Sequence, residues 1–112
     1  MPSELQQLKA DLFRVLAHPV RIRILELLAA RARTVQELQE SLALEQPIVS
    51  QHLAALRGRN LVTARKEGTL AHYAVRGPAV SDLLRVAREV LDQRLAGHQT
   101  LLRELRREGR HS

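Results

Sequence analysis

Amide and hydroxyl side chains suited to hydrogen bonding with base edges cluster at residues 46–51, which read Gln-Pro-Ile-Val-Ser-Gln. Helical spacing that turns Val49, Leu53 and Leu56 toward a core leaves a polar face on the other side. That face comprises Gln46, Pro47, Ser50, Gln51, Ala54 and Arg57. Because a glutamine amide matches the donor and acceptor edge of adenine, we expect Gln51 to bind a base directly.

Cationic side chains follow this segment and are suited to phosphates of a DNA backbone. Two of them end the same helix, and two more precede a Gly-containing hairpin turn in which a threonine adds a donor. The predicted phosphate contacts are Arg57, Arg59, Arg65, Lys66 and Thr69. Such contacts supply affinity and fix orientation but carry little sequence information.

The composition narrows the choice of partner. The 112 residues include 18 Lys and Arg against 12 Asp and Glu, a formal charge of +6 that favours a polyanion. Aromatic residues make up only 2%, too few to stack unpaired bases as binders of single strands do. Double-stranded DNA is therefore the favoured partner.

Several functional classes lack the residues they need. The chain has no Cys, which excludes disulfides, thiolate metal sites, thiol redox switches and cysteine nucleophiles. It has no Gly-rich phosphate loop and no arrangement of nucleophile, base and orienting group, so we do not expect an enzyme. No segment approaches the roughly 20 apolar residues of a membrane span. We expect a cytoplasmic protein.

The elements that position these side chains follow from apolar spacing and caps. Helices are predicted at residues 4–16, 19–32, 35–42 and 47–58, with Ser3 capping the first and the pair Thr34 and Glu37 the third. Two strands, 61–65 and 70–75, form a hairpin. A long helix follows from Pro78, bent or broken at Gly97, and residues 97–112 form an extension with a frayed end.

This order predicts one domain, 1–112, that is mainly α with a small β-hairpin: a winged helix-turn-helix. In such a fold the second helix of the pair lies in the major groove and the hairpin lies beside it. Two alternatives stay open, a protein interaction module and an architectural DNA binder of low sequence specificity.

Apolar stripes on the first and last helices predict a homodimer. On so small a domain, two exposed amphipathic helices most simply bury each other across a twofold axis. The predicted interface comprises Leu5, Leu8, Leu12, Leu83, Leu84, Ala87, Val90 and Leu91. Two recognition helices would then meet half-sites about 34 Å apart on one DNA face.

Two segments resemble the ArsR/SmtB family of repressors. These are Val-Leu-Ala-His-Pro-Val-Arg-Ile-Arg-Ile-Leu at residues 15–25 and Pro-Ile-Val-Ser-Gln-His-Leu at residues 47–53, within a similarity that runs from about Leu12 to Leu95. The resemblance implies a homodimer built from the first and last helices. It also implies an inverted-repeat operator, usually repression, and often release by a metal ion.

The metal sites of that family are not matched here. One uses a cysteine-valine-cysteine segment, which falls on the Thr-Val-Gln of residues 34–36. The ligands of the other fall on Gly77, Ala79, Val90 and Gln93, none of which binds metal in that role. We therefore expect no required cofactor and leave the effector open between a small molecule, a partner protein and a metal.

Five histidines remain as candidate ligands. His18 and His52 match family positions and are expected to be structural, and His72 to lie on a strand or face DNA. His98 and His111 are predicted to be solvated, with Glu104 between them. An atypical nickel or zinc site in this tail is the alternative.

Overall fold

The computed structural model describes the backbone of residues 1–111 and the side chains of residues 1–107. The elements are α1 (Glu4–Leu16), α2 (Pro19–Ala30), β1 (Arg33–Thr34), α3 (Val35–Leu42), α4 (Gln46–Gly58), β2 (Val62–Glu67), β3 (Leu70–Val75) and α5 (Pro78–His111). The predicted winged helix-turn-helix order is confirmed. The chain groups into two compact units, Met1–Ser81 and the remainder from Asp82.

Side-chain caps set where the helices begin. Ser3 and Gln6 form a reciprocal capping box at α1, and Thr34 and Glu37 form one at α3. Hydrogen bonds from Arg31 and Thr34 hold the pKa of the Glu37 carboxyl below its ordinary value. Both caps agree with the sequence pattern, because each satisfies amides that the first helical turn leaves without partners.

The wing contains one strand more than the sequence indicated. The short β1 pairs antiparallel with β3, with Arg33 opposite Tyr73, and the sheet order is β1-β3-β2. A two-residue strand carries no readable alternation, which is why it was not predicted. The hairpin is also tighter than expected, since β2 continues to Glu67 and only Gly68 and Thr69 form the loop. Gly68 supplies the positive φ of +65° that this turn requires.

The core of the first unit fixes the rotation of α4. The largest fully buried side chains come from α2, α3, α4 and β2: Ile24, Leu25, Leu38, Val49, Leu53, Leu56 and Val62. Three of them lie on α4 at the positions that the apolar spacing predicted. The face of α4 opposite to these residues is consequently the polar one.

The second unit is the greater part of α5. This helix continues through Gly97 to His111, so the predicted break at Gly97 is not found. A single glycine costs a helix interior about 1 kcal/mol, which the turns on either side can offset. The predicted fraying of 97–112 stays a prediction, and Ser112 lies outside the described residues. Among these residues, no helix is both long and apolar enough to cross a membrane.

Candidate nucleic-acid interface

The outward face of α4 presents the residues that the sequence singled out. Gln46, Pro47, Gln51 and Arg57 are exposed, and Ser50 is half-buried. The buried residues of the same helix hold this face outward, so its polar groups are available to a ligand without rearrangement of the core.

Two of the three predicted base-contacting groups bind each other. Gln46 Nε2 donates a hydrogen bond of 2.6 Å to Ser50 Oγ, one helical turn away. Within the described part of the chain, the Gln51 side chain makes no hydrogen bond, so its amide keeps both donors and its acceptor for a ligand. The geometry therefore favours Gln51 over Gln46 for direct contact with a base.

At the amino end of α4, Pro47 and the two residues after it offer no free backbone amide. Pro47 has no amide hydrogen, and the amides of Ile48 and Val49 both donate to the Glu45 carbonyl oxygen. The Glu45 side chain makes no capping hydrogen bond. This helix end therefore offers few backbone donors to a phosphate.

The predicted phosphate-binding cations differ in their surroundings. Arg65 Nη2 lies 2.6 Å from Glu67 Oε1, and Arg59 Nη1 lies 3.8 Å from Asp11 Oδ2 of α1. Lys66 is exposed and has no ion-pair partner among the described side chains. Lys66 is thus the wing cation whose whole charge faces solvent.

Histidine 72 lies on β3, as predicted, and faces the same acidic residue of the wing. His72 Nε2 is 3.6 Å from Glu67 Oε2, so Glu67 lies between an arginine and a histidine of the hairpin. Thr69 is exposed in the loop at the hairpin tip.

Two residues beside α4, Tyr73 and Arg76, were missed by the sequence analysis. A cleft between α4 and β3 is lined by Ser50, Leu53, Ala54, Arg57, Gly58 and Tyr73. A second, along the carboxyl end of α4, is lined by Arg57, Asn60, Val62, Thr63, Ala64 and Arg76. Tyr73 and Arg76 thus lie next to predicted contacts. Their position depends on the register of β3 against β2, which the sequence alone does not give.

A cluster of three side chains connects the helix behind α4 to α4 itself. His18 caps α2 through a 3.2 Å hydrogen bond from the Val20 amide to its Nδ1. Its ring packs against that of His52 with centroids 4.4 Å apart. Arg21 Nε donates to His52 Nδ1 at 3.2 Å. The structural interpretation of both histidines agrees with these contacts, but the participation of Arg21 was not predicted.

The predicted dimer residues include large exposed apolar side chains. On α1, Leu5 and Leu8 are 61% and 55% exposed, and Leu12 is half-buried. On α5, Val90 and Leu91 are 64% and 51% exposed. Ala87 is also exposed, and Leu83 and Leu84 are half-buried. Phe13, 60% exposed, was missed because it lies beside the stripe defined by the leucines.

The residues present do not fit the metal sites of the resembling family. No group of three or more His, Asp or Glu side chains lies close enough to hold a metal ion within the described residues. His98 is exposed on α5, while the side chain of His111 lies outside the described residues. An atypical metal site stays a prediction.

The element order, the buried face of α4 and the cationic hairpin define a winged helix-turn-helix. Comparison with known proteins agrees. Residues 18–64 match the family model described as bacterial regulatory protein, arsR family. The HTH-type transcriptional regulator Rv0081 of Mycobacterium tuberculosis is 46% identical over 111 residues, which cover 97% of each chain.

Solved structures extend the match. The crystal structure of Rv0081 has a TM-score of 0.82 and 44% identity, covering 87% of this chain and 98% of that one. The homodimeric winged helix-turn-helix DNA-binding domain Mb0332 of Mycobacterium bovis has a TM-score of 0.76 and 32% identity, covering 84% and 91%. This chain belongs to the ArsR family of bacterial regulatory proteins, and is a DNA-binding transcriptional regulator.

Proposed function

We propose that the chain acts as a homodimer that binds an inverted-repeat operator through α4 and represses transcription there. The observation that carries the proposal is the outward polar face of α4, held by Val49, Leu53 and Leu56 and centred on the unengaged amide of Gln51. A helix presented in this way fits the major groove, where each base pair displays a distinct pattern of donors and acceptors.

The homodimer is supported by apolar surface on two helices. More than half of the side chain is exposed at Leu5 and Leu8 of α1 and at Val90 and Leu91 of α5. So much exposed apolar surface is unusual for a small monomer. The related Mb0332 domain is homodimeric. A symmetric pair of chains would bury these stripes and present two copies of α4 to one face of the duplex.

We propose that the protein is a repressor because a related protein is one, and that it is located in the cytoplasm. The transcriptional repressor PagR of Bacillus anthracis is 32% identical over 78 residues, which cover 69% of this chain and 78% of PagR. A regulator that acts on bacterial DNA works in the cytoplasm. We also propose that the protein has no catalytic activity of its own and requires no cofactor.

The cue that releases the DNA is proposed to differ from the metals of the family sites. Residues 34–36 and the aligned positions Gly77, Ala79, Val90 and Gln93 offer no ligand set. A small molecule or a partner protein is therefore the favoured effector, and nickel or zinc bound through His98 and His111 is the competing one.

Selection of duplexes from a random pool tests this proposal. The protein is expected to enrich a twofold-symmetric sequence with half-sites about one helical turn apart. Recovery of no enriched sequence would contradict specific recognition and favour an architectural or protein-binding role. The same selection with added nickel or zinc tests the effector: unchanged enrichment supports a non-metal cue, and loss or gain of the site would contradict it.

A further inference from the structure

Arg21 connects three helices through its guanidinium group. Its Nε donates to Nδ1 of His52 on α4 at 3.2 Å, and its Nη1 donates to the carbonyl oxygen of Val15 on α1 at 3.3 Å. Arg21 itself belongs to α2, and all three residues are half-buried. A planar guanidinium offers fixed donor directions, so one side chain can hold both acceptors only at one relative placement of α1 and α4.

His52 can accept this hydrogen bond in one protonation state. A neutral imidazole with its hydrogen on Nε2 leaves Nδ1 as an acceptor, whereas an imidazolium carries hydrogen on both nitrogens and accepts nothing. Protonation would also place a positive ring against the Arg21 guanidinium and 4.4 Å from the ring of His18. The observed arrangement therefore belongs to neutral His52.

His52 directly follows Gln51, the residue proposed to bind a base. The contact of His52 with Arg21 therefore adds to the buried residues of α4 in holding the turn that carries Gln51. A displacement near 1 Å is enough to spoil a two-point hydrogen bond to a base edge. Loss of the Arg21 contact would thus affect sequence-specific binding more than general attraction to phosphates.

We propose that Arg21 is a positioning residue for the recognition helix, and that its hold on α4 depends on neutral His52, so that operator recognition is lost in acid. This inference rests on the proposed function, because it assumes that α4 binds an operator. Through Arg21, the predicted dimer helix α1 and the DNA-binding helix α4 would be connected by a contact that depends on protonation.

The electrostatic surroundings of His52 give the direction of the pH effect. Burial lowers the pKa of His52 below its ordinary value, and the charges of His18 and Arg21 lower it further. These two groups come from the start of α2. The elements α3 and β2, which also pack on α4, contribute no charge that shifts this pKa among the described residues.

Because the folded protein binds this proton less readily than the unfolded chain, the contribution of neutral His52 is complete above the unfolded value. It is lost as the pH falls through the lowered folded value. Specific binding by the folded protein should begin to fall once the pH is below the lowered pKa of His52. General attraction to DNA should change in the opposite direction, since protonation adds positive charge.

The test compares affinity for the duplex selected in the random pool with affinity for a scrambled duplex, from pH 8 to pH 5. For the wild type, the ratio should fall by up to about tenfold per pH unit and per protomer below the pKa of His52. His52→Asn keeps an acceptor near the position of Nδ1 but does not titrate, so its ratio should stay flat. Gln99→Asn, at an exposed position of α5 that has no role in the proposed site, is the control and should behave as the wild type.

The outcomes separate this inference from the proposed function. Specific binding at pH 8 with a ratio that is flat in the wild type, or that falls equally in His52→Asn, overturns the role of the pair and leaves the proposed function standing. Absence of specific binding at pH 8 contradicts the proposed function itself.

A second measurement does not depend on the variants folding. The ring resonances of His52 in the wild type should titrate below the range of an unfolded histidine, and the Arg21 Nε resonance should shift with the same midpoint. Independent titration of the two groups would contradict the inference.

Arg21→Lys, which cannot reach both acceptors in the fork geometry, should reduce the ratio at pH 8 while the helical circular dichroism is unchanged.

Discussion

At the scale of single residues, neighbours decide which polar groups are available for DNA. The sequence placed Gln46, Ser50 and Gln51 on one face because helical spacing suffices for that. It could not indicate that Gln46 binds Ser50, since whether an i, i+4 pair forms depends on rotamers rather than on spacing. The same limit applies to Arg65, whose contact with Glu67 depends on how the strand directs its side chains.

The different surroundings of the two wing cations yield a prediction. Lys66→Ala should weaken binding to selected and scrambled duplexes alike, and should reduce the slope of log affinity against log salt by about one per protomer. Arg65→Ala should have a smaller effect, because Glu67 already neutralises part of its charge. Fluorescence anisotropy at several salt concentrations measures both slopes.

Arg23→Ala is the charge-matched control, since Arg23 lies on α2 outside the helix pair and the wing. Its salt slope should stay close to that of the wild type. A Lys66→Ala slope indistinguishable from this control would remove Lys66 from the DNA contacts.

At the scale of elements, local chemistry explains most of what could be predicted. The bounds of α1 and the start of α3 agree with the sequence because Ser3 and Thr34 carry capping boxes that need only neighbouring residues. The strand β1 was not predicted, because two residues acquire strand geometry only by pairing with β3, which is distant in sequence. The placement of Tyr73 beside Arg57 likewise depends on a tertiary pairing, the register of β3 against β2.

The capping box of α3 predicts a measurable loss of stability. Thr34→Ala removes the hydroxyl that accepts from the Glu37 amide and should lower the free energy of unfolding by about 1 kcal/mol. Thr34→Ser keeps the hydroxyl and should recover most of that loss. Urea denaturation at one fixed protein concentration compares the variants. Equal stability of the alanine variant and the wild type would show that the cap contributes nothing.

At the scale of the whole molecule, the proposed dimer allows two copies of α4 to bind the two half-sites of one operator. Leu91→Glu places a charge in the predicted interface, and sedimentation equilibrium should then report a monomer. Affinity for the full symmetric site should fall on the order of 10²-fold, because the second half-site is no longer bound within the same complex.

The matched control is Thr100→Glu on the same helix. Thr100 is exposed and, at helical spacing, lies on the face of α5 opposite to Leu91, so this variant should remain a dimer. Dimeric Leu91→Glu, or equal dissociation of both variants, would contradict the predicted interface.

Gln51 is the residue through which we propose that α4 reads sequence, and its replacement by alanine tests this role. The ratio of affinities for the selected duplex and its scrambled counterpart should fall in Gln51→Ala by a factor that corresponds to about 1 to 3 kcal/mol per half-site, with preference relaxed at one base pair. Gln99→Ala on α5 should leave the ratio unchanged, and Gln46→Ala should have the smaller effect of the two α4 variants. A ratio for Gln51→Ala equal to that of the wild type would show that Gln51 does not read a base.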